Sequence, residues 1–268
     1  MIRDITIGQY YPANGILHRL DPRVKIVCTL LYLLSLLFFM ENVWGYVVAT
    51  IFLVSVICLS KVPLKFIVKG LKPIIMLMMI TVLFNLLFTK NGNKLWGFWV
   101  FTITDDGIKM AVFTTIRLIY LIVGSSLMTF TTTPNALTDG LEKLLWPLRK
   151  IRVPVHEIAM MMSIALRFVP ILLEETDKIM KAQIARGADL ESGNIIRKAK
   201  AMIPILVPLF VSAFRRANDL AMAMEARCYH GGEGRTKMKP LVYQTRDIAA
   251  YGVIVMYLIA AVVLGKII

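Results

Sequence analysis

The chain has 268 residues, 57% of them hydrophobic, and a mean hydropathy of +0.69. Soluble domains average ~45–50% apolar residues, so the excess has to lie out of water, and runs of about 18 or more charge-poor residues become the first thing to locate. A net charge of +14, from 31 Lys+Arg against 17 Asp+Glu, reads as basic segments flanking membrane spans; no RNP-type aromatic motif, zinc-finger spacing or basic repeat points to nucleic acid.

The first apolar run begins after Arg23 and Lys25 and covers residues 26–40. It leads almost directly into a second at 43–60, so it reads as a span and not as a cleaved leader. Further spans are predicted at 73–89, 108–130 and 248–265, and every other part reads as too charged or too short. The N-terminal segment carries Arg3, Arg19, Arg23 and Lys25, and the stretch after the second span, read as a loop, carries Lys61, Lys65, Lys69 and Lys72. The loops after the first and third spans are lean: Glu41 in one, and Lys90, Lys94, Asp105 and Asp106 in the other. The positive-inside rule then puts the N-terminus in the cytoplasm, returns the chain there near residue 131 and leaves the C-terminus external.

Residues 131–247 are charged yet helical in pattern. Thr133 and Pro134 read as N-cap and first helical residue, and Leu137, Leu141, Leu144, Leu145 and Leu148 follow at helical spacing. A longer helix starts at Pro154 and stops at Gly187. Its first half is largely apolar, and its second half pairs Glu174 with Lys178 and Asp177 with Lys181 at i,i+4. A third helix of similar build has an uncharged core at 201–214, shorter than a span. Such half-apolar, half-charged helices suit a membrane boundary. Pro170, Pro204 and Pro208 each remove a backbone hydrogen bond, kinking the helix and also making it compliant. The expected fold is all-α: a polytopic membrane protein with about five transmembrane helices and a cytoplasmic coupling domain of three amphipathic helices, divided as 1–130, 131–247 and 248–268.

The two long helices end alike, in Ala185-Arg186-Gly187 and Ala226-Arg227-Cys228. An arginine at a helix C-terminus complements the dipole. Small residues on either side also leave its planar fork of donors open to carboxylates on another protein.

With "HRLDPRVKI" before the first span, "ALRFVP" at 165–170, "KAQIARGAD" at 181–189 and "MEARCY" at 224–229, the chain resembles the transmembrane T components (EcfT, with its cobalt relative CbiQ) of energy-coupling factor vitamin transporters. The resemblance covers nearly the whole chain. It implies a non-catalytic scaffold in the plasma membrane, partnered by two cytoplasmic ABC-type ATPases (EcfA and EcfA′ type) and a membrane-embedded substrate-binding S component. It implies that Ala185, Arg186 and Gly187, and likewise Ala226, Arg227 and Cys228, dock into ATPase grooves. Glycine is commoner where Cys228 stands. No cofactor is expected in the chain itself, ATP and Mg belonging to the ATPases.

Arg117, inside the fourth span, has two readings: a contact to the S component, or an internal anchor, with Asn85 as a candidate partner. The rival to the scaffold is a stand-alone secondary transporter or membrane enzyme, which needs ionisable groups at a midplane cavity. Apart from Arg117 the spans hold almost none. "GGEGRTK" lacks the Gly-Lys pair of a phosphate loop, and "HEIAM" lacks the second histidine of a zinc protease. Cys28, Cys58 and Cys228 form neither a disulfide framework nor a metal-ligand spacing.

Overall fold

The structure is a computed structural model that describes residues 10–39, 42–89, 94–98, 101–188, 194–232, 238 and 240–266. Met40, Glu41 and Lys90, and most of the glycine-rich turn at 231–237, lie outside the described residues. Two compact units emerge. One comprises Gly8–Gly140 with Leu241–Ile268, and the other is centred on Leu141–Pro240. These units divide near 140 and 240; the expected boundaries at 130 and 247 mark membrane spans from charged segments and are a different division. Gly140 shows why the first half of its helix stays with the first unit: a Cβ there would stand 3.0 Å from Pro22 and 3.1 Å from Ile26.

The first unit contains α1 (Pro22–Phe38), α2 (Val43–Ser60), α3 (Leu64–Leu71), α4 (Ile75–Phe88), α5 (Asp105–Thr131), the first turns of α6 (Pro134–Leu145) and α9 (Thr245–Lys266). A short antiparallel hairpin, β1 (Lys94–Phe98) with β2 (Phe101–Thr104), joins α4 to α5. Among the described residues the protein is otherwise helical, and five helices there are long and apolar enough to cross a membrane.

Three details differ from the sequence reading. The lysine-rich stretch after α2 is a helix, α3, and not a loop. Lys65, Lys69 and Lys72 recur at spacings of four and three, so they share one face while Ile67 is buried on the other. Next, α1 has 17 residues, or about 25 Å of rise at ~1.5 Å per residue, a little under the ~30 Å hydrocarbon core. Finally, α7 (Val155–Ala185) joins the helices whose length and composition suffice to cross; its 31 residues outweigh the charges that had excluded it.

Polar anchors fix the ends of the bundle. Asp21 caps α1, its carboxylate accepting the Arg23 N–H at 2.9 Å, with Pro22 in the first helical position. Asp247, only 1% exposed, accepts the Asp21 N–H at 2.9 Å and the Gln244 N–H at 2.8 Å. The same carboxylate thus caps α9 and ties its start to the start of α1. Arg23 reaches the Leu241 carbonyl at 2.6 Å and lies 4.4 Å over the Tyr243 ring. Lys25 donates to the Thr131 carbonyl at 2.8 Å, bringing the end of α5 to this face. At the opposite face Asn42 donates to the Gly265 carbonyl at 3.3 Å. So α1 and α9 run parallel, and α5 runs against them.

Between the faces the core gathers Tyr32, Leu36, Leu53, Leu127, Ile254 and Tyr257. Phe52 stacks on Tyr257 with centroids 4.3 Å apart, and the Tyr257 hydroxyl meets Ser35 Oγ at 2.9 Å. Arg117 on α5 donates from Nε to the hydroxyl of buried Tyr46 on α2 at 3.1 Å.

The second unit holds the end of α6, α7 and α8 (Ile195–Glu225). Thr133 caps α6 through the Ala136 N–H at 3.3 Å, as its position before Pro134 predicts. His156 on α7 accounts for the "HEIAM" histidine: its Nδ1 lies 2.9 Å from Glu142 of α6. A Cβ at residue 232 would collide with the same ring, which is why glycine stands there.

Candidate docking ends of the two long helices

The two 31-residue helices α7 and α8 each span about 46 Å at ~1.5 Å per residue. They pair antiparallel, as their polar contacts show. On α7, Glu175 accepts from Ser212 Oγ and, at 3.0 Å, from Arg216 of α8. Two turns further on, Gln183 donates to the Pro204 carbonyl at 3.4 Å. Higher numbers on α7 therefore meet lower numbers on α8. On α8 the residues involved, Pro204, Ser212 and Arg216, lie on one i,i+4 stripe that also contains Pro208.

Both helices terminate in the same backbone device. At the end of α7 the Ala188 N–H donates to the Gln183 carbonyl at 3.0 Å and the Gly187 N–H to the Ile184 carbonyl at 2.9 Å. At the end of α8 the Tyr229 N–H donates to the Met224 carbonyl at 3.1 Å and the Cys228 N–H to the Glu225 carbonyl at 2.9 Å. Each is a Schellman cap, a six-to-one bond enclosing a five-to-two bond around a residue in the left-handed region. That residue is Gly187, with φ of 86°, in one cap and Cys228, with φ of 54°, in the other. The atypical cysteine therefore reproduces the glycine conformation, and the two motifs share a geometry as well as a sequence pattern.

In each cap the arginine is the residue just before the left-handed one. Arg186 and Arg227 are exposed, as are Ala185, Gly187, Ala226 and Cys228. Neither guanidinium has an acceptor among the described residues. Each sits at the negative end of a long helix, where the dipole favours a cation, with small neighbours that leave its donors open. Large exposed side chains, Ile184 beside one and Met222 near the other, border the two ends. Because α7 and α8 are antiparallel, the arginines leave opposite ends of the paired stretch. Arg186 lies three residues past Gln183, the paired stretch of α8 from 204 to 216 covers twelve, and Arg227 lies eleven past Arg216. Followed along the helices that is about 40 Å at ~1.5 Å per residue, room for two separate partners.

Sequence reasoning located the arginines and missed their supports. Gln183 looks like an ordinary polar residue in a charged half-helix, and nothing local announces a bond to a residue 21 positions away. The exposed apolar stripe of α8, Ile203, Val207, Phe210 and Phe214, was legible only as a helix that needs cover. Among the described residues no three His, Cys, Asp or Glu cluster as a metal site would require.

This architecture, a polytopic helical bundle carrying two long helices with exposed arginine caps, matches a known class. The family profile described as "Cobalt transport protein" (CbiQ) matches residues 13–238, and the chain belongs to this CbiQ/EcfT family. It is similar to proteins named "Energy-coupling factor transporter transmembrane protein EcfT" from Clostridium kluyveri, 57% identical over 251 residues (93% of each chain), and Ruminiclostridium cellulolyticum, 52% identical over 258 residues (96% of each). The protein of the same name from Bacillus subtilis is 48% identical over 247 residues, 92% of this chain and 93% of that one.

Proposed function

We propose that the chain is the non-catalytic scaffold of an ATP-driven vitamin importer, holding two cytoplasmic ATPases by Arg186 and Arg227 and passing their movement to a substrate-capturing membrane subunit. The observation that carries this reading is the repeated cap: two exposed guanidiniums in one backbone geometry, at opposite ends of one antiparallel helix pair. A left-handed residue is a common helix stop; what a dipole does not ask for is an open, small-flanked arginine repeated at both ends.

Topology supports it. The end of α5 and the start of α9 lie at the same face of the bundle, through Lys25 with Thr131 and Asp21 with Asp247. The chain between them must cross the membrane an even number of times. Among the described residues α8, which carries Pro204 and Pro208, is not one of the helices apolar enough to span; a lone crossing by α7 would break the even count, which supports residues 131–247 lying on one side. That side carries Arg19, Lys61, Lys65, Lys69 and Lys72, which makes it cytoplasmic by the positive-inside rule and the C-terminus external. The apolar stripe of α8 is the kind of surface that needs a partner, and the substrate-capturing subunit is the partner it fits.

Affinity purification from cells in mild detergent tests the assembly. Two ATPase chains and a small membrane subunit are expected in the eluate, and a chain that elutes alone overturns the reading. Topology is checked with single cysteines on a cysteine-free background: an impermeant maleimide should miss Lys150→Cys in intact cells and label it in inverted vesicles, whereas Asp106→Cys should label in intact cells.

A further inference from the structure

Pro208 has no N–H, so the carbonyl of Pro204, four residues earlier, loses the helical donor it would otherwise have. That carbonyl is nevertheless bonded: Gln183 of α7 donates its side-chain amide to it at 3.4 Å. The same Gln183 has a second task. Its own carbonyl accepts the Ala188 N–H at 3.0 Å and the Arg186 N–H at 3.1 Å, closing the cap that presents Arg186. One residue therefore joins the end of α7 to the proline break in α8, by its backbone on one side and its side chain on the other.

We propose that Gln183 is a positioning residue, replacing the donor that Pro208 lacks and thereby locking the Arg186 end of α7 to the compliant turn of α8. A displacement of Arg186 is then delivered to a turn of α8 where proline has already removed a bond of the backbone ladder, so that the apolar stripe beyond it, from Phe210 to Phe214, swings as a unit. The Glu175 contacts with Ser212 and Arg216 hold the far side of the break, so the proline turn is bracketed by α7 above and below. A helix without Pro208 would bond its own Pro204 carbonyl and leave α7 no handle. The consequence for transport rests on the scaffold reading above; the bond itself does not.

The test is a double-mutant cycle on the intact complex. Gln183→Leu removes the donor at a half-buried position. One hydrogen bond lost corresponds to roughly 2- to 10-fold faster local opening, read as amide exchange over residues 209–213. Pro208→Ala restores the helical N–H, so Gln183→Leu should change exchange there by less than about 2-fold in that background. Gln183→Lys keeps a donor and should restore most of the protection; Gln183→Glu, an acceptor when ionised, should not. Uptake per ATP hydrolysed should fall with Gln183→Leu while the ATPases still copurify, and recover with Gln183→Lys. Equal effects of Gln183→Leu with and without Pro208, or unchanged exchange in the single variant, overturn the proposal. Loss of copurifying ATPases in the unmodified protein would instead overturn the scaffold reading, leaving the exchange cycle interpretable on the chain alone.

Discussion

The ends of α7 and α8 are built from different residues and reach the same shape. One places glycine in the left-handed position and the other places cysteine, yet both close the same pair of backbone bonds and both leave an arginine exposed. Left-handed backbone at a non-glycine residue costs roughly 1–2 kcal/mol. A cost of that size in the cap of α8 implies that what matters there is the conformation presenting Arg227, and not glycine as such. A generic helix stop could have used Gly at both ends, or an asparagine.

The largest effect should come from the arginines themselves. If each guanidinium meets a carboxylate in a desolvated groove, reversing its charge leaves that partner unpaired, a loss of roughly 3–5 kcal/mol when buried. Arg186→Glu and Arg227→Glu should each deplete copurified ATPase and vitamin uptake, and, if the two sites hold different chains as proposed, the double variant should be worse than either. Arg215→Glu, on the same helix as Arg227 but away from the cap, serves as the charge control. Lysine should substitute only in part because it lacks the planar fork. If both reversals keep normal complex yield and uptake, the likeness of the two ends is only the common way a helix stops.

What was readable in the sequence was local. Thr133 with Pro134, Pro154 and Gly187 mark helix ends by chemistry that acts within a turn, and each stands where the sequence puts it. Most spans were legible from hydropathy, α7 was set aside for its charges, and α3 was misread because its lysines were counted without regard to their phase. The supports were not legible. Asp247 caps a backbone N–H 226 residues away, and the bond from Arg117 to Tyr46 on α2 joins residues 71 positions apart. Cys228 gives no sign of its left-handed backbone, because only the cap it closes demands that conformation.

A smaller effect separates conformation from side chain at the first end. Gly187→Ala adds a Cβ that meets nothing within 4 Å, so only the backbone conformation resists it, at roughly 1–2 kcal/mol. The end of α7 should fray, with faster amide exchange at residues 187 and 188, and ATPase copurification should fall less than with Arg186→Glu. A fully functional Gly187→Ala with unchanged exchange would show that the cap can shift without cost, and that the matching geometry of the two ends is not required.

The smallest effect, and the opposite sign, is expected at the other end. Cys228→Gly relieves the left-handed strain of roughly 1–2 kcal/mol and returns roughly 0.5–1 kcal/mol of it as unfolded-state entropy, for a net gain on the order of 0.5–1 kcal/mol. Amide exchange at Cys228 and Tyr229 should slow by a few-fold, the melting temperature of the complex should rise slightly or hold, and uptake should be unchanged. Cys228→Ser supplies the complementary control: it keeps a side chain of similar size and the strain, and removes the thiol. If serine and glycine both support full uptake, position 228 is purely a backbone requirement and the two ends are equivalent in function as they are in shape. If glycine impairs uptake while stabilising the cap, the sulfur contacts the partner, and α8 reads its ATPase through a residue that α7 does not have.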